Sequence, residues 1–447
     1  MGMIDESGSS SDMARVQMLR SHVSPHILFV LEFTIPLLTL NFLFVGLYKN
    51  FIIFPIDATI LAAALLCGSL FSFALFGSLR FSVRDPILLA LMLIVIYLAI
   101  RTPSSEDWAV RKLMELVLFG LPAFWAGHVI SANEKMLAWL TDIISALTLP
   151  FALLLVWQTF DNPSSFATIG SGGYQLSGMF MALALVASAA SSRPLIFAVA
   201  FAGVCATGHL SGFLFGTFSA LLVWLLRRDY RGLTWALVFS VAIVIVQTVT
   251  IGLPLAFQRV GLKTEAVTLL LEQRPDLLAR EFRSGRSQEN ANPFNEESQD
   301  GRETLQGDLP TSGLTLIPPV TQEPEGLARS ANRILIWRDA IQKFYNNPFL
   351  GAGWGSVDYI GHAYPHNIIL ELASETGIIG VFTFLFLISA SFYRSYINSH
   401  YFAFGLLCTI LLFYMVSGYF GSRLLLFAIG IAAGANIVAK RREKFRP

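Results

Sequence analysis

The sequence predicts an all-α polytopic membrane protein of about twelve transmembrane helices with one long extracytoplasmic loop. Three observations predict it. Hydrophobic residues make up 54% of the 447 and charged residues only 14%, against about a quarter charged in a soluble domain. Apolar runs of roughly 18 or more residues recur along most of the chain, the length that a helix needs to cross a bilayer. A single long polar segment, 255–366, interrupts them.

Residues 1–25 are polar and Ser-rich and lack the basic-then-apolar pattern of a cleaved signal peptide, so they read as a disordered cytoplasmic tail. Nine spans follow within 26–254: near 26–48, 52–76, 85–101, 112–130, 136–158, 176–191, 194–208, 210–226 and 232–254. Pro55 falls at the entrance of the second. Gly208, His209, Ser211 and Gly212 separate the seventh from the eighth. Three more spans, near 367–392, 400–418 and 423–439, complete the 367–439 block, and 440–447 is a basic cytoplasmic tail. Cys67, Cys205 and Cys408 lie inside apolar runs and read as small core residues, not as disulfide or metal thiolates. The net charge of +1 speaks against a nucleic-acid partner.

Charge orients the set. With a cytoplasmic N-terminus, the inner side receives about fifteen basic residues, among them Arg80, Arg84, Arg193, Arg227, Arg228, Arg231, Arg394 and the tail KRREKFRP. The short outer loops receive about five, Lys49, Arg101, Arg111, Lys112 and Arg423. Both termini are then cytoplasmic and 255–366 is extracytoplasmic. Within that loop, LKTEAVTLLLEQRPDLLAREF is amphipathic and suits a membrane surface. The middle, about 284–325, is too polar to bury a core and reads as disordered. Helical periodicity returns with Ile334, Trp337, Ile341 and Phe344 on one face, and NNP at 346–348 ends that helix.

The candidate chemistry lies between Arg329 and Gly380. Arg259, Arg333 and Arg338 are among the few basic residues on the outer side. An arginine cluster there suits a phosphate or pyrophosphate through bidentate, charge-assisted hydrogen bonds; the alternative is a solvated helix face or headgroup contact. His366, between Pro365 and Asn367 where the chain re-enters the membrane, is either a base for an attacking hydroxyl or a helix-cap histidine. His362 and His366 have the spacing of two metal ligands on a helix, but Pro365 breaks that helix and no carboxylate completes a site, so no metal is expected. GAGWGS (351–356) lacks the Lys-Ser/Thr of a P-loop; its glycines allow tight turns or close approach of the backbone to a ligand. Glu371 and Glu375 sit in an apolar stretch, where a carboxylate is costly unless paired. An ion pair with an outer arginine is one reading of Glu375 and a catalytic role the other. Arg101 and Arg423, at outer helix ends, read as snorkelling anchors.

In order and spacing, Arg333-x3-Trp337, Pro348-x2-Gly351-x-Gly353, His366-Asn367 and Glu375-x-Gly377-x2-Gly380 resemble the C-terminal signature of the O-antigen ligase and polymerase superfamily of bacterial envelopes. Many members also carry Thr-x-Ser-Arg-Gly in an earlier span. The corresponding place here, ATGHLSG, has Thr207, His209 and Ser211 but no arginine, and no catalytic residue is carried over from it.

The resemblance implies a GT-C-like fold in the bacterial inner membrane and a metal-independent, inverting glycosyltransferase, with no cofactor, whose active site faces the periplasm. The donor would be a glycan on undecaprenyl pyrophosphate. The acceptor would be the next lipid-linked repeat unit in the polymerase branch and the lipid A core in the ligase branch. Besides membrane lipids, a flippase or chain-length regulator would be a partner. Carried over, His366 and Arg333 would be catalytic, as base and pyrophosphate ligand. Arg259, Arg338, Trp337, Asn367 and Glu375 would bind substrate. A transporter of a lipid-linked glycan or a small solute is the competing class, but its halves would repeat, and here one large loop has no counterpart.

Overall fold

A computed structural model describes residues 25–47, 57–76, 85–103, 107–161, 166–169, 173–250, 252–259, 325–356, 365–417 and 422–444. The N-terminal tail, Pro55, His362 and the expected surface helix and disordered stretch within 260–324 lie outside them, as do the side chains of 325–335 and 436–444. The described residues are helical, with no strand among them. The chain divides into two units, Met1–Gln258 with Arg333–Pro447, and Arg259–Asn332.

The helices of the first unit are α1 (Pro25–Phe44), α2 (Ala58–Phe76), α3 (Pro86–Arg101), α4 (Asp107–Glu115), α5 (Leu121–Ala132), α6 (Glu134–Asp161), α7 (Gly173–Ala190), α8 (Pro194–Thr207), α9 (Leu210–Arg227), α10 (Tyr230–Thr250), α12 (Ile368–Ile397), α13 (Tyr401–Ser417) and α14 (Arg423–Lys444). α11 (Glu325–Asn346) begins in the second unit and ends in the first. A π-turn, Leu116–Gly120, joins α4 to α5 in one continuous rod. Each of the twelve apolar segments of the sequence is helical over most of its length. Among the described residues, eight helices, the α4–α5 rod among them, are long and apolar enough to cross a membrane; Pro86–Arg101, Pro194–Thr207, Tyr401–Val416 and Arg423–Ala435 are apolar but shorter. The protein is a multi-pass membrane protein.

Local chemistry sets the boundaries. Asp85 caps α3, its carboxylate accepting from the Ile87 N–H at 2.9 Å, and Pro86 opens the helix where no N–H is needed. Gly208 takes a left-handed φ of 63° and ends α8 two residues before α9 begins, so the short GHLSG stretch does separate two helices.

With little hydrophobic drive between helices in lipid, close contact depends on small residues. Gly430-x3-Gly434 on α14 meets α5, where a Cβ on Gly430 would strike the Phe124 carbonyl and one on Gly434 the His128 carbonyl. Gly127 on α5 faces α14 in the same way. α7 packs on α8 and α9, α13 on α9 and α14, and α12 on α3. α7 is buried along nearly its whole length, whereas α10 exposes Val238, Val241, Val246 and Val249, apolar side chains suited to lipid.

The α3–α12 pair is fastened at both ends. At one, Arg394 late in α12 bonds Asp85 at 2.6 Å and the Ala433 carbonyl at 3.1 Å. At the other, the end of α3 meets the glycine-rich segment that follows α11.

Candidate active site

α11 ends at Asn346, as NNP requires, and Pro348–Leu350 turn the chain into Gly351, Gly353 and Gly355, all at positive φ (68°, 114° and 78°). This segment lies against a break in α12. Gly377, at φ 65° and ψ −162°, is non-helical inside that helix. Its conformation removes the bonds that the carbonyls of Ser374 and Glu375 would receive from Ile378 and Ile379. Buried backbone groups must be paired elsewhere, and they are. Ala352 N–H donates to the Ser374 carbonyl (2.8 Å) and Gly353 N–H to that of Glu375 (3.0 Å). The freed N–H groups of Ile378 and Ile379 donate to the carbonyls of Pro348 (2.8 Å) and Phe349 (3.4 Å).

The glycines allow this contact. A Cβ on Gly351 would strike the backbone of Glu375 and Thr376, and one on Gly377 the backbone of Phe349. The glycines of GAGWGS make tight turns, and the partner that the backbone closely approaches is a neighbouring helix. α3 closes the arrangement: Tyr97 donates its hydroxyl to the carbonyls of Leu350 (3.0 Å) and Thr376 (3.1 Å), and Arg101 donates to that of Gly351 (2.8 Å). Trp354 N–H in turn donates to the Arg101 carbonyl at 3.1 Å. Arg101 is therefore a backbone clamp, not the snorkelling anchor expected of it. Arg423 likewise donates to the Phe42 carbonyl at 2.8 Å and lies over that ring.

Beneath this contact lies a buried charge cluster. Lys112 on α4 is 2.5 Å from Glu371 Oε1 and 2.8 and 2.7 Å from the two oxygens of Glu375. The three side chains are 4%, 0% and 1% exposed. The indole of Trp354, fully buried, covers the ammonium at 4.1 Å. The ion pair expected for Glu375 exists, but its cation is a lysine from far earlier in the chain, and one that counting charges had assigned to an outer loop. The two glutamates, four apart in an apolar helix, signalled that a partner was needed. Nothing in the spacing identified it.

The re-entry turn stands at the start of α12. His366 adopts φ 53°, the left-handed region, and is half-buried. Asn367 caps α12, its side-chain oxygen accepting from Ile369 (3.0 Å) and Leu370 (3.1 Å), while its amide nitrogen donates to the Met415 carbonyl on α13 (3.0 Å). Trp337 on α11 donates its Nε1–H to the Pro365 carbonyl at 2.6 Å, joining α11 to this turn. Arg333 is one turn before Trp337 on the same helix, its side chain outside the described residues. Arg338 and Trp337 are exposed, as is Ile341, so much of the apolar face of α11 is uncovered by protein. Arg259, half-buried, ends a short helical turn over 255–259 and belongs to the second unit.

The structure thus brings together Trp337, His366 and Asn367, and separately joins Glu375 to Lys112. In the ATGHLSG stretch the Thr207 hydroxyl accepts from the His209 N–H at 3.2 Å, and the His209 ring lies against Phe413 and Tyr174. Among the described residues no group of three His, Cys, Asp or Glu side chains is placed to hold a metal ion.

No curated protein matches the chain. The family model described as O-Antigen ligase matches residues 195–385, from α8 through the first half of α12. That span contains α11, the glycine segment, the His366–Asn367 turn and both buried glutamates. The signature and the family model agree: over residues 195–385 the chain is similar to the O-antigen ligase family.

Proposed function

We propose that the protein is an inner-membrane glycosyltransferase that moves a glycan from undecaprenyl pyrophosphate to a sugar hydroxyl on the periplasmic side. In this reading the twelve apolar helices all span, in a GT-C-like arrangement with both termini cytoplasmic. The observation that carries the reading is the Trp337–Pro365 bond. It joins the helix bearing Arg333 and Arg338 to the turn bearing His366, the juxtaposition that the reaction needs.

His366 takes the proton from the acceptor hydroxyl as its oxygen forms the new glycosidic bond. The bond between the anomeric carbon and the phosphate oxygen breaks on the opposite face, so the configuration inverts. Negative charge grows on the departing pyrophosphate, and fixed arginines, Arg333 foremost with Arg338 and Arg259, stabilise it without a metal. The sequence has no Asp-x-Asp pair for a metal-bound nucleotide sugar, which fits a lipid-linked donor. The activated donor supplies the free energy, so no ATP site is needed.

Polymerisation of lipid-linked repeat units is our first reading, because ATGHLSG departs from the pattern common in the family. Transfer to lipid A core is the second, favoured by the description of the matching family model. The test is a chromosomal deletion complemented with wild type, His366→Ala or Arg333→Ala, with surface glycan and lipid-linked intermediates analysed. Single repeat units in place of long chains identify a polymerase; long chains stranded on undecaprenyl pyrophosphate identify a ligase. Full activity in both variants, each confirmed in the membrane, would overturn the site and reopen the transporter reading.

A further inference from the structure

We propose that Lys112 is a positioning residue for this reaction: through Glu371 and Glu375 it fixes the first two turns of α12, and with them the His366–Asn367 turn. The inference rests on the functional reading above.

Three observations carry it. The first is the fit of the cluster. Lys112 donates to both carboxylate oxygens of Glu375, at 2.8 and 2.7 Å, and is ion-paired with Glu371 Oε1 at 2.5 Å. The Trp354 ring covers it as well. Residues four apart on a helix lie one above the other, so one lysine reaches both glutamates only when α12 has a single rotation and height against α4. The second is the connection upward. Glu371 N–H donates to the Asn367 carbonyl at 3.0 Å, so the lower glutamate belongs to the same turn as the cap. Glu375 gives its carbonyl to Gly353, so the upper one also holds the glycine segment. The third is strain. A non-glycine residue at φ 53° is uncommon, and such conformations persist only where the surroundings over-determine them. The Trp337–Pro365 bond holds His366 from the α11 side, and the anchored α12 holds it from the other.

Stability alone does not account for the cluster. Three charges without water pay a desolvation cost that well-packed apolar side chains would avoid. The attested use of such groups is to specify one register, and the register specified here is that of the helix that begins at the candidate base. Two carboxylates outnumber one ammonium. Arg101, fastened to the Gly351 carbonyl, brings a second cation to this end of the α3–α12 pair.

The experiment compares full-length wild type, Lys112→Met/Glu371→Gln/Glu375→Gln and His366→Ala in nanodiscs. The triple variant removes the three charges of the cluster together, so none of its members stays charged without its partner. Transfer from a synthetic polyprenyl-pyrophosphate-linked glycan to a glycan acceptor gives kcat and KM. Mass-spectrometric hydrogen exchange follows residues 365–376, with 401–417 as internal reference. The expected result is exchange at least about 10-fold faster over 365–376 alone and kcat lower by about 100-fold, the scale of an ångström's misplacement, with both KM values within about three-fold.

Wild-type kcat in the triple variant, while His366→Ala is inactive, overturns the inference alone, whether or not exchange changes. Wild-type kcat in His366→Ala overturns the functional reading and this inference with it. Should the triple variant not accumulate, Glu371→Gln replaces it, since it keeps the Lys112–Glu375 pair. A kcat about 10-fold lower at unchanged KM supports the proposal, and wild-type kcat overturns it.

Discussion

Gly353 donates its backbone N–H to the carbonyl of Glu375 at 3.0 Å, the carbonyl that the break at Gly377 leaves without its helical partner. The glycine pattern in the two halves of the signature is therefore one structural device. One half breaks a helix, and the other supplies the bonds that the break removes.

Gly377→Ala should consequently be among the most damaging single changes outside the proposed chemistry. A left-handed φ costs an L-residue about 1–2 kcal/mol, and forcing a methyl against the Phe349 backbone adds about 1–3 kcal/mol. Thermal unfolding of the purified protein in detergent should show a loss of roughly 2–5 kcal/mol. Gly68→Ala is the control. Gly68 is exposed within α2 and its added methyl meets no neighbour within 4 Å, so stability should hold or rise by up to about 1 kcal/mol. Equal losses in the two variants would show that the break at Gly377 is not constraining.

Asp85→Asn should separate stability from catalysis. Its carboxylate pairs with Arg394 at 2.6 Å, the two side chains 14% and 11% exposed. Asparagine still caps α3 but leaves the guanidinium without its charge partner, at a cost of about 3 kcal/mol. The site is at the other end of α3, about 24 Å away by helix rise. Membrane yield and melting temperature should fall while kcat per folded molecule stays at the wild-type value. A proportional fall in kcat would mean that the two ends of the α3–α12 pair are coupled.

These contrasts also mark what could be read in the sequence. Hydropathy located the helices because burial in lipid demands long apolar runs, and the GHLSG break was visible because Gly208 suits a left-handed cap. The glutamates at 371 and 375 announced a buried charge, since an isolated carboxylate in an apolar helix is not tolerated. Their partner was not legible. Lys112 sits in DWAVRKLME, which by composition is a polar loop edge, and 263 positions separate it from Glu375. Only the fold turns that stretch inward. The roles of Arg101 and Arg423 were missed for a related reason. Both sit at helix ends where headgroup contact is the default, and the carbonyls they bond, Gly351 and Phe42, become available only once the neighbouring segments are in place.

Gly430→Leu should weaken the α5–α14 contact specifically. A side chain there would strike the Phe124 carbonyl, a backbone atom that cannot rotate away. The two helices would have to separate, and overpacking of this kind costs about 1–3 kcal/mol or more. Disulfide cross-linking between cysteines introduced on facing positions of α5 and α14 should slow in the variant. Cross-linking between α12 and α3 should keep its wild-type rate. Unchanged α5–α14 cross-linking would argue that the small residues do not set that contact.

Trp337→Phe tests the bond on which the functional reading leans most. Trp337 is 39% exposed, so exchanging its indole for a phenyl ring sacrifices little packing. What disappears is the Nε1–H donated to the Pro365 carbonyl, a hydrogen bond worth about 1 kcal/mol in stability. Melting temperature should therefore barely move. Catalysis should respond more strongly, because the bond ties the helix of Arg333 and Arg338 to the turn of His366, and productive geometry is lost by small displacements. A kcat reduced by about 10-fold or more at unchanged expression would fit a site assembled across that bond. Wild-type kcat in Trp337→Phe would mean that α11 and the histidine turn are held together by other contacts. The case for arginine and histidine acting on one substrate would then rest on the Arg333 and His366 variants alone.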